Sequence, residues 1–232
     1  MVINEIFYSI QGEGLLAGVP SVFIRLAGCP LRCTWCDTQY ALDPKAGEDL
    51  SLSEMLDRIE SVFTHLSHEP RVTSHERRFI VITGGEPMIN PQLPELAATL
   101  KQKAKHVTIE TAGFKFIPDI ACDLMSISPK LSNSGVKIKK VPDPFFPIRQ
   151  LIEHYPYQLK FVVDSPDDIT EIQQTVKLLG NIDPKRIMLM PQAKTRDELL
   201  AKSSMVAELC KQTGFAFCNR LQILLWNNKR GT

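Results

Sequence analysis

Short apolar segments alternate with amphipathic segments along most of the 232-residue chain. Several apolar segments have no polar face, a pattern that is typical of strands buried on both sides of a parallel sheet. We therefore predict β-strands at residues 4–10, 22–26, 79–82, 107–110, 124–127, 159–163, 187–190 and 221–225.

Between the strands, hydrophobic residues that recur every three or four positions predict amphipathic helices. These helices cover residues 51–66, 94–103, 168–179 and 197–213. The alternation of strands and helices indicates an α/β fold, and it favours a partial TIM-type barrel of parallel strands with outer helices. Residues 67–78 are polar and predict a solvated loop, whereas 131–150 contains three prolines and predicts an irregular segment. No repeat or linker divides the chain, so we predict one domain over residues 1–232.

Composition narrows the cellular setting and the class of partner. The formal net charge is +1, which gives no reason to expect a nucleic acid or another polyanion as partner. No apolar run approaches the roughly 20 residues that span a bilayer, and the first residues lack the basic and apolar blocks of a secretion signal. Six cysteines without an export signal are typical of a reducing compartment, so we expect a cytoplasmic protein without membrane attachment.

Three of the six cysteines, Cys29, Cys33 and Cys36, lie within eight residues directly after the strand predicted at 22–26. Cys33 and Cys36 alone would suit a thiol–disulfide pair, but this interpretation leaves Cys29 without a role. A structural zinc site usually has four ligands from two separated pairs, and no second pair with that spacing follows. Three thiolates leave an open coordination position, which is typical of catalytic metal centres. The other cysteines are widely spaced and predict small apolar side chains in the core: Cys122, Cys210 and Cys218.

Polar, glycine-containing segments follow two of the predicted strands, where α/β folds place their ligands. The first, Gln11-Gly12-Glu13-Gly14, suits either a simple connection or a turn that binds a planar polar ring. The second, Thr83-Gly84-Gly85-Glu86-Pro87, allows a ligand to approach the backbone closely because two residues have no Cβ atom. Arg25 lies in an apolar strand and needs an anionic partner, either a substrate carboxylate or an internal salt bridge.

The spacing Cys29-x-x-x-Cys33-x-x-Cys36, followed by Gly84-Gly85-Glu86-Pro87, resembles the radical S-adenosylmethionine (SAM) superfamily. In that superfamily three cysteines hold a [4Fe-4S] cluster, and the amino and carboxylate groups of SAM bind the fourth iron. The glycine-rich segment lies beside the SAM amino group. An aromatic residue before the last cysteine, here Trp35, lies near the adenine.

Further segments make the chain similar to the 7-carboxy-7-deazaguanine synthase family. Two differences stand out: Gln222 occupies a position where many relatives have histidine, and 131–150 matches no pattern of the family. The similar segments are 11–14, 18–20, 23–25, 36–38, 128–130 and 220–226.

The resemblance implies a role for each matched residue. Cys29, Cys33 and Cys36 would ligate the cluster. The Thr38 hydroxyl would bind a Mg²⁺ ion that also binds the substrate, whereas the alternative for Thr38 is an N-cap after the cysteine loop. The residues implied in SAM binding are Trp35, Cys36, Asp37, Gly85, Ser128, Pro129, Lys130, Pro191 and Gln192. The residues implied in substrate binding are Ile10, Gln11, Gly12, Glu13, Arg25 and Thr83, with Arg25 on the substrate carboxylate.

The implied reaction is a lyase step of queuosine and 7-deazapurine biosynthesis. It converts 6-carboxy-5,6,7,8-tetrahydropterin to 7-carboxy-7-deazaguanine with release of ammonia, and SAM acts catalytically. The resemblance also implies a homodimer and a flavodoxin or ferredoxin reductant. No catalytic acid or base can be named from the sequence, and Glu110 and Lys160 lie near strand ends without an assigned role. Two alternatives stay open: a radical SAM activase that acts on a protein substrate, and a zinc-stabilised binding module without catalysis.

Overall fold

The computed structural model describes residues 1–65, 78–136 and 142–232. Within these residues nine strands form one sheet. The strands are β1 (Val2–Ile10), β2 (Pro20–Leu26), β3 (Glu48–Asp49), β4 (Phe79–Gly84), β5 (His106–Thr111), β6 (Leu124–Ile127), β7 (Tyr157–Val163), β8 (Ile187–Pro191) and β9 (Ala216–Phe217).

Most of the sheet is parallel, as the alternating pattern predicts. The strand order is β3-β1-β2-β4-β5-β6-β7-β8-β9, and each neighbouring pair from β2 to β9 is parallel. The two end strands, β3 and β9, do not pair with each other, so the sheet of the described residues is open. This arrangement confirms the α/β class and agrees with a partial barrel.

The first long strand is an exception, because β1 runs antiparallel to β2. Only nine residues, 11–19, connect these strands, and a parallel crossover needs about a dozen or more. The connection is closed by two backbone hydrogen bonds, from Gln11 N–H to Val19 O (2.8 Å) and from Gly18 N–H to Gln11 O (2.7 Å). This short return fixes the position of the polar turn that follows β1.

Four of the six helices in the described part of the chain lie where the hydrophobic periodicity predicts them. These four are α1, α2, α4 and α5. Local capping supports this agreement: the Thr195 side chain accepts from Glu198 N–H, and the Glu198 side chain accepts from Thr195 N–H, at the start of α5. The helices are α1 (Leu52–His65), α2 (Leu93–Lys103), α3 (Phe146–His154), α4 (Asp168–Leu179), α5 (Arg196–Thr213) and α6 (Leu221–Trp226).

The strand predicted at 221–225 is wrong, because these residues form α6. Leu224 N–H donates to Arg220 O (3.0 Å), and Asn227 ends the helix in the left-handed conformation. A short segment with four apolar residues among five does not distinguish a strand from a buried helix. Here β9 already occupies the sheet edge beside β8, and Ile223 packs instead against Ala193.

The irregular segment predicted at 131–150 is corrected in part. Its last residues belong to α3, where Pro147 occupies the first turn and its missing N–H costs no hydrogen bond. Residues 132–134 form a 3-10 turn. Residues 137–141 lie outside the described residues, as do 66–77, which hold nearly all of the predicted polar loop.

The core consists of strands that are buried on both faces and of the apolar sides of the helices. Every residue of β8 is buried, and α5 packs against this strand. Val22, Ile82 and Leu159 have no exposed surface. No helix within 1–65, 78–136 and 142–232 is long and apolar enough to cross a membrane. Against this apolar background, charged side chains that point from the strands into one cavity define the site.

Candidate active site

Nearly all of the predicted site residues meet in one cavity of about 220 Å³. Its wall combines the turn after β1, the cysteine loop (residues 29–36), the carboxyl ends of β4 and β5, and side chains of β7 and β8. The exceptions among the predicted residues are Pro129, Pro191 and Gln192, which do not line it. Gln192 instead accepts a hydrogen bond from Lys202 Nζ (2.6 Å).

The cysteine loop brings its three thiols to the wall of this cavity. The loop is closed by a hydrogen bond from Cys36 N–H to Cys33 O (3.2 Å), and Cys29 N–H donates to Leu42 O (3.1 Å). No three His, Cys, Asp or Glu side chains in the described residues converge as ligands of a single metal ion. In a cubane each thiolate binds a different iron, and all three thiols line this one cavity, which is compatible with a cluster.

The glycines at the end of β4 allow this strand end to pack against the backbone that leads into the cysteine loop. A Cβ atom on Gly84 would lie 2.2 Å from Leu26 O, and one on Gly85 would lie 2.0 Å from Gly28 O. The next residue pairs with the same loop, because Glu86 N–H donates to Gly28 O (2.9 Å). Both glycines are therefore needed for close approach of two backbones beside the thiols.

Glu86 ties this segment to the end of β5. Its carboxylate accepts from Thr111 Oγ1 (2.7 Å), Ala112 N–H (2.8 Å) and Met88 N–H (3.1 Å). Burial raises the pKa of Glu86, although these three hydrogen bonds oppose the shift. The side chain thus holds two adjacent strand ends together below the cavity.

We expect Gly85→Ala to damage the site without removing any functional side chain. The methyl group would displace Gly28 and Cys29, and a displacement of about 1 Å at a catalytic group lowers the rate by about 100-fold. The measurements are iron content after reconstitution and SAM affinity, with thermal unfolding as a check on the fold. Wild-type values for both would contradict the close packing described above.

Lys130 places a buried cation next to the cysteine loop. Its Nζ donates to Ser128 Oγ (2.9 Å) and lies 5.4 Å from the centroid of the Trp35 ring. Burial lowers the pKa of Lys130, although Cys33 and Glu86 oppose the shift. A buried ammonium whose hydrogen bond goes to a hydroxyl group favours an anionic ligand nearby. This side of the cavity is therefore suited to thiolates or to a ligand carboxylate.

Glu13 lies at the centre of a buried charge network that the sequence analysis missed. Its carboxylate accepts from Lys160 Nζ (2.7 Å), Arg220 Nε (3.1 Å) and Gln222 Nε2 (2.8 Å). Burial alone would raise the pKa of Glu13, but Lys160 and Arg220 lower it well below its usual value. Burial would lower the pKa of Lys160, but Glu13 and Glu110 raise it. The network is therefore fully charged at neutral pH.

Arg220 extends this network to the cysteine loop. One terminal nitrogen forms an ion pair with Asp37, the residue after Cys36, and the other donates to Ala193 O (2.6 Å). The sequence placed Lys160 near a strand end and Arg220 in a segment similar to the family, but it assigned neither cation a role. Such a cation must find a partner when it is buried, but the sequence did not say which one.

Glu110 organises a second group of polar side chains on the cavity wall. Its carboxylate accepts from Thr83 Oγ1 (2.8 Å) and Gln11 Nε2 (3.2 Å). Gln11 Oε1 in turn accepts from Glu13 N–H (3.1 Å). Two residues that were predicted to contact a substrate, Gln11 and Thr83, are thus oriented by Glu110.

Gln222 packs directly against the turn at Gly12. A Cβ atom on Gly12 would lie 1.9 Å from Gln222 Oε1, so the Gln222 side chain would have to move to admit any other residue at this position. Gln222 lines the cavity, and its Oε1 is buried without a hydrogen-bond partner in the described part of the chain. The residue that replaces the expected histidine therefore belongs to the site.

Arg25 has an internal partner and still faces the cavity. Its Nε donates to Glu5 Oε1 (2.7 Å), which also accepts from Tyr40 Oη (2.9 Å). Burial raises the pKa of Tyr40 to about 12, so this phenol stays protonated. The guanidinium lies over the rings of Phe7 and Tyr40, and among the described residues Glu5 is the hydrogen-bond partner of its Nε. The internal salt bridge thus leaves the terminal nitrogens for a ligand.

Thr38 comes directly before the 3-10 turn Gln39–Ala41, in the N-cap position. Its side chain makes no capping hydrogen bond, and the hydroxyl oxygen lies 3.6 Å from Cys36 Sγ. The capping alternative therefore does not explain this side chain, which lines the cavity.

The three remaining cysteines lie outside the cavity wall. Burial raises the pKa of Cys122 to about 12 and the pKa values of Cys210 and Cys218 to about 11. Because the thiolate is the reactive form, we expect iodoacetamide at pH 8 to alkylate them far more slowly than an exposed thiol. Mass spectrometry of the native protein measures this, with urea-unfolded protein as the reactive control. Cys210 and Cys218 are buried and Cys122 is partly buried, and rapid alkylation in the native state would contradict their raised pKa values.

Comparison with known proteins decides between the remaining interpretations. A sequence model described as the radical SAM superfamily matches residues 23–137. The 7-carboxy-7-deazaguanine synthase of Rhodopirellula baltica is 37% identical over 100% of this chain and 89% of its own length. The enzyme of that name from Pyrobaculum aerophilum is 37% identical over 98% of this chain and 95% of its own length. The chain belongs to the 7-carboxy-7-deazaguanine synthase family.

A solved structure supports this assignment to the 7-carboxy-7-deazaguanine synthase family. The crystal structure of QueE from Escherichia coli matches with a TM-score of 0.67 at 26% identity, over 94% of this chain and 92% of that chain. These results favour the synthase prediction over the activase and the zinc module. The superfamily match ends at residue 137, so it includes the cysteine loop but not Lys160, Arg220 and Gln222.

Proposed function

We propose that this chain converts 6-carboxy-5,6,7,8-tetrahydropterin to 7-carboxy-7-deazaguanine with release of ammonia. The observation that carries the proposal is that three thiols, a Gly-Gly backbone segment, Arg25 and the network around Glu13 face one cavity. One side of this cavity suits a metal cluster and the carboxylate of a cofactor, and the other side suits a small polar ring with a carboxylate.

The residues on the cysteine side fit the cofactors of the radical SAM superfamily. Cys29, Cys33 and Cys36 would hold a [4Fe-4S] cluster, and Lys130 places a buried positive charge beside them. When bound, the cluster and SAM supply the radical chemistry that begins the reaction. The protein would orient SAM through the backbone at Gly85. We assign the other SAM contacts to the cavity residues Trp35, Cys36, Asp37, Ser128 and Lys130, whereas the predicted contacts Pro129, Pro191 and Gln192 lie outside the cavity wall.

The opposite wall would bind the pterin. The terminal nitrogens of Arg25 would pair with the substrate carboxylate in a two-point geometry, while Glu5 keeps the guanidinium in place. The turn from Ile10 to Glu13 would contact the ring. The Glu13 carboxylate accepts three internal hydrogen bonds, which leaves about one acceptor position free. Its backbone and its position would therefore contribute more to binding of the ring than the charge of the carboxylate does. Thr83, held by Glu110, would donate or accept at the ring edge.

The Thr38 hydroxyl fits a site for Mg²⁺. Its oxygen faces the cavity without a capping role, next to Cys36. Magnesium commonly takes one or two protein oxygens and completes its coordination with substrate oxygens and water. A cation held by Thr38 would supply positive charge for the oxygens of the substrate.

The proposal includes a cellular context that the family suggests. We place the chain as a single radical SAM domain in the cytoplasm, acting in queuosine and 7-deazapurine biosynthesis. It would act as a homodimer and receive electrons from a flavodoxin or a ferredoxin. Its substrate is a small molecule, and a net charge of +1 gives no electrostatic reason for a nucleic-acid partner.

Anaerobic reconstitution tests the proposed reaction directly. The purified chain is loaded with iron and sulfide and then incubated with SAM, Mg²⁺, dithionite and the pterin. We expect 7-carboxy-7-deazaguanine by mass spectrometry, and none when SAM or the pterin is omitted. Cleavage of SAM without the deazapurine would reject the substrate, and a chain that binds zinc but no iron would reject the enzyme class.

A further inference from the structure

The turn at residues 132–135, here called the clamp, holds the middle of the cysteine loop. Thr34 N–H and Thr34 Oγ1 both donate to Ser134 O, at 3.0 and 3.2 Å. A Cβ atom on Gly135 would lie 2.7 Å from Thr34 Cγ2, so the two segments are in close contact. Thr34 lies between the cluster ligands Cys33 and Cys36, so the clamp supports the part of the loop that carries them.

The clamp also fixes the indole of Trp35. Trp35 Nε1–H donates to Asn133 O (3.1 Å) and to Asn133 Oδ1 (3.3 Å). The ring packs against an apolar cluster that contains Val162 and Met190, and Lys130 Nζ lies over it. An indole with its N–H bonded and its ring in contact with apolar side chains and a cation has one orientation available.

The clamp is itself anchored to the rest of the fold. Asn133 Nδ2 donates to Val162 O (3.0 Å) on β7 and to Asp168 Oδ2 (2.9 Å) at the start of α4. Asp168 Oδ2 also accepts from the N–H groups of Asp164 and Ser165. The Asn133 side chain therefore connects Trp35 to a strand and a helix that do not contain any of the predicted cofactor residues.

We propose that Asn133 is a positioning residue that orients Trp35 for the adenosyl part of the cofactor. The inference rests on the proposed function, because it takes Trp35 as the wall of the adenosyl site. Asn133 lies outside the cavity wall and acts on the cofactor site through the indole N–H, which donates to its backbone and side-chain oxygens. This positioning role would give a function to the segment at 131–136, which matches no pattern of the family.

Both the oxygen and the nitrogen of the Asn133 side-chain amide are needed, the oxygen as acceptor and the nitrogen as donor. Asn133→Ala keeps the backbone acceptor for Trp35 but removes the donor to Val162 O and Asp168. Asn133→Asp keeps an acceptor for Trp35 and introduces an anion beside Val162 O and the Asp168 carboxylate, where like charges repel. We therefore expect the aspartate variant to be more damaging than the alanine variant, although it is closer in shape.

The test is a titration of the reduced, reconstituted holoprotein with SAM, followed by electron paramagnetic resonance of the cluster. We expect the dissociation constant for SAM to rise about ten-fold in Asn133→Ala, a change equivalent to about 1.4 kcal/mol, and further in Asn133→Asp. Asn181→Ala is the matched control, because Asn181 is exposed and does not line the cavity. Iron content and thermal unfolding show whether each variant is folded and loaded.

A double-mutant cycle with Trp35→Phe tests whether Asn133 acts through the indole. In the Trp35→Phe background, which has no indole N–H, we expect Asn133→Ala to change the SAM dissociation constant less than two-fold. Equal effects in both backgrounds, or wild-type affinity in Asn133→Ala, would overturn the inference. A wild-type holoprotein that fails to bind SAM would overturn the proposed function instead, so the two failures are distinguishable.

Discussion

Replacing Cys33 by alanine is expected to remove the iron–sulfur cluster and to reduce SAM cleavage to the uncatalysed background. Two thiolates and an alanine leave two corners of the cubane without a protein ligand, and Lys130 keeps its buried charge beside them. The measurements are iron and sulfide per chain, expected to fall from about four of each, visible absorbance, and release of 5′-deoxyadenosine from SAM.

Cys122→Ala is the matched control for this experiment. Cys122 is a free thiol outside the cavity wall, and burial raises its pKa to about 12, so it should not bind iron. The control should keep wild-type iron content and SAM cleavage. Retained cleavage in Cys33→Ala, or equal iron loss in both variants, would contradict the assignment of the cluster to the cysteine loop.

Replacing Lys160 by methionine is expected to lower both stability and activity. The change keeps the length of the side chain but leaves Glu13 with Arg220 as its only cation, and removal of one partner from a buried pair typically costs 3–5 kcal/mol. Because Arg220 and Gln222 stay in place, we expect about 3 kcal/mol, or a fall in Tm of about 6–12 °C. Calorimetry and urea unfolding measure these changes.

Lys211→Met is the matched control for this variant. Lys211 pairs with Glu208 on the surface, with side chains that are 71% and 61% exposed. Exposed pairs of this kind contribute little, so the control should unfold within about 0.5 kcal/mol of wild type. If Lys160→Met unfolds like the control, the charge network does not support the fold.

The contribution of Lys160 should also depend on pH. The pKa of Glu13 is lowered in the folded protein, so its stabilisation is present above its ordinary value of 4.5 and is lost as the pH falls. The pKa of Lys160 is raised, so its stabilisation is present below its ordinary value of 10.5 and is lost as the pH rises. The difference in unfolding free energy between wild type and Lys160→Met should therefore be largest between these values.

The effect of Lys160→Met on the pterin and on SAM should distinguish the substrate side of the cavity from the cofactor side. In Lys160→Met the position of Glu13 changes, so we expect kcat/KM for the pterin to fall at least ten-fold, equivalent to about 1.4 kcal/mol. The affinity for SAM should change little, because Lys160 contacts the turn after β1 rather than the cysteine loop. Loss of SAM affinity without a change for the pterin would contradict this division.

Local sequence patterns predicted most strands of the sheet. They failed where one pattern is compatible with both a strand and a helix. Helices such as α5 carry their own period and caps, so their positions follow from nearby residues. The tail at 221–225 is mostly apolar without a clear period, and it forms a helix while β9 occupies the sheet edge. The segment between β1 and β2 is too short for a parallel crossover, so β1 is antiparallel to β2. The alternation of strands and helices along the sequence did not reveal this.

The sequence by itself determined the cysteine spacing, the glycine segment after β4 and the α/β class, because each depends on residues that are close along the chain. Only the tertiary structure decided which charges meet. Glu13 and Arg220 are separated by 207 positions, and Trp35 and Asn133 by 98, yet each pair is in hydrogen-bond contact. Pairing of buried charges and anchoring of a ring depend on how strands and loops converge, and no local pattern contains that information.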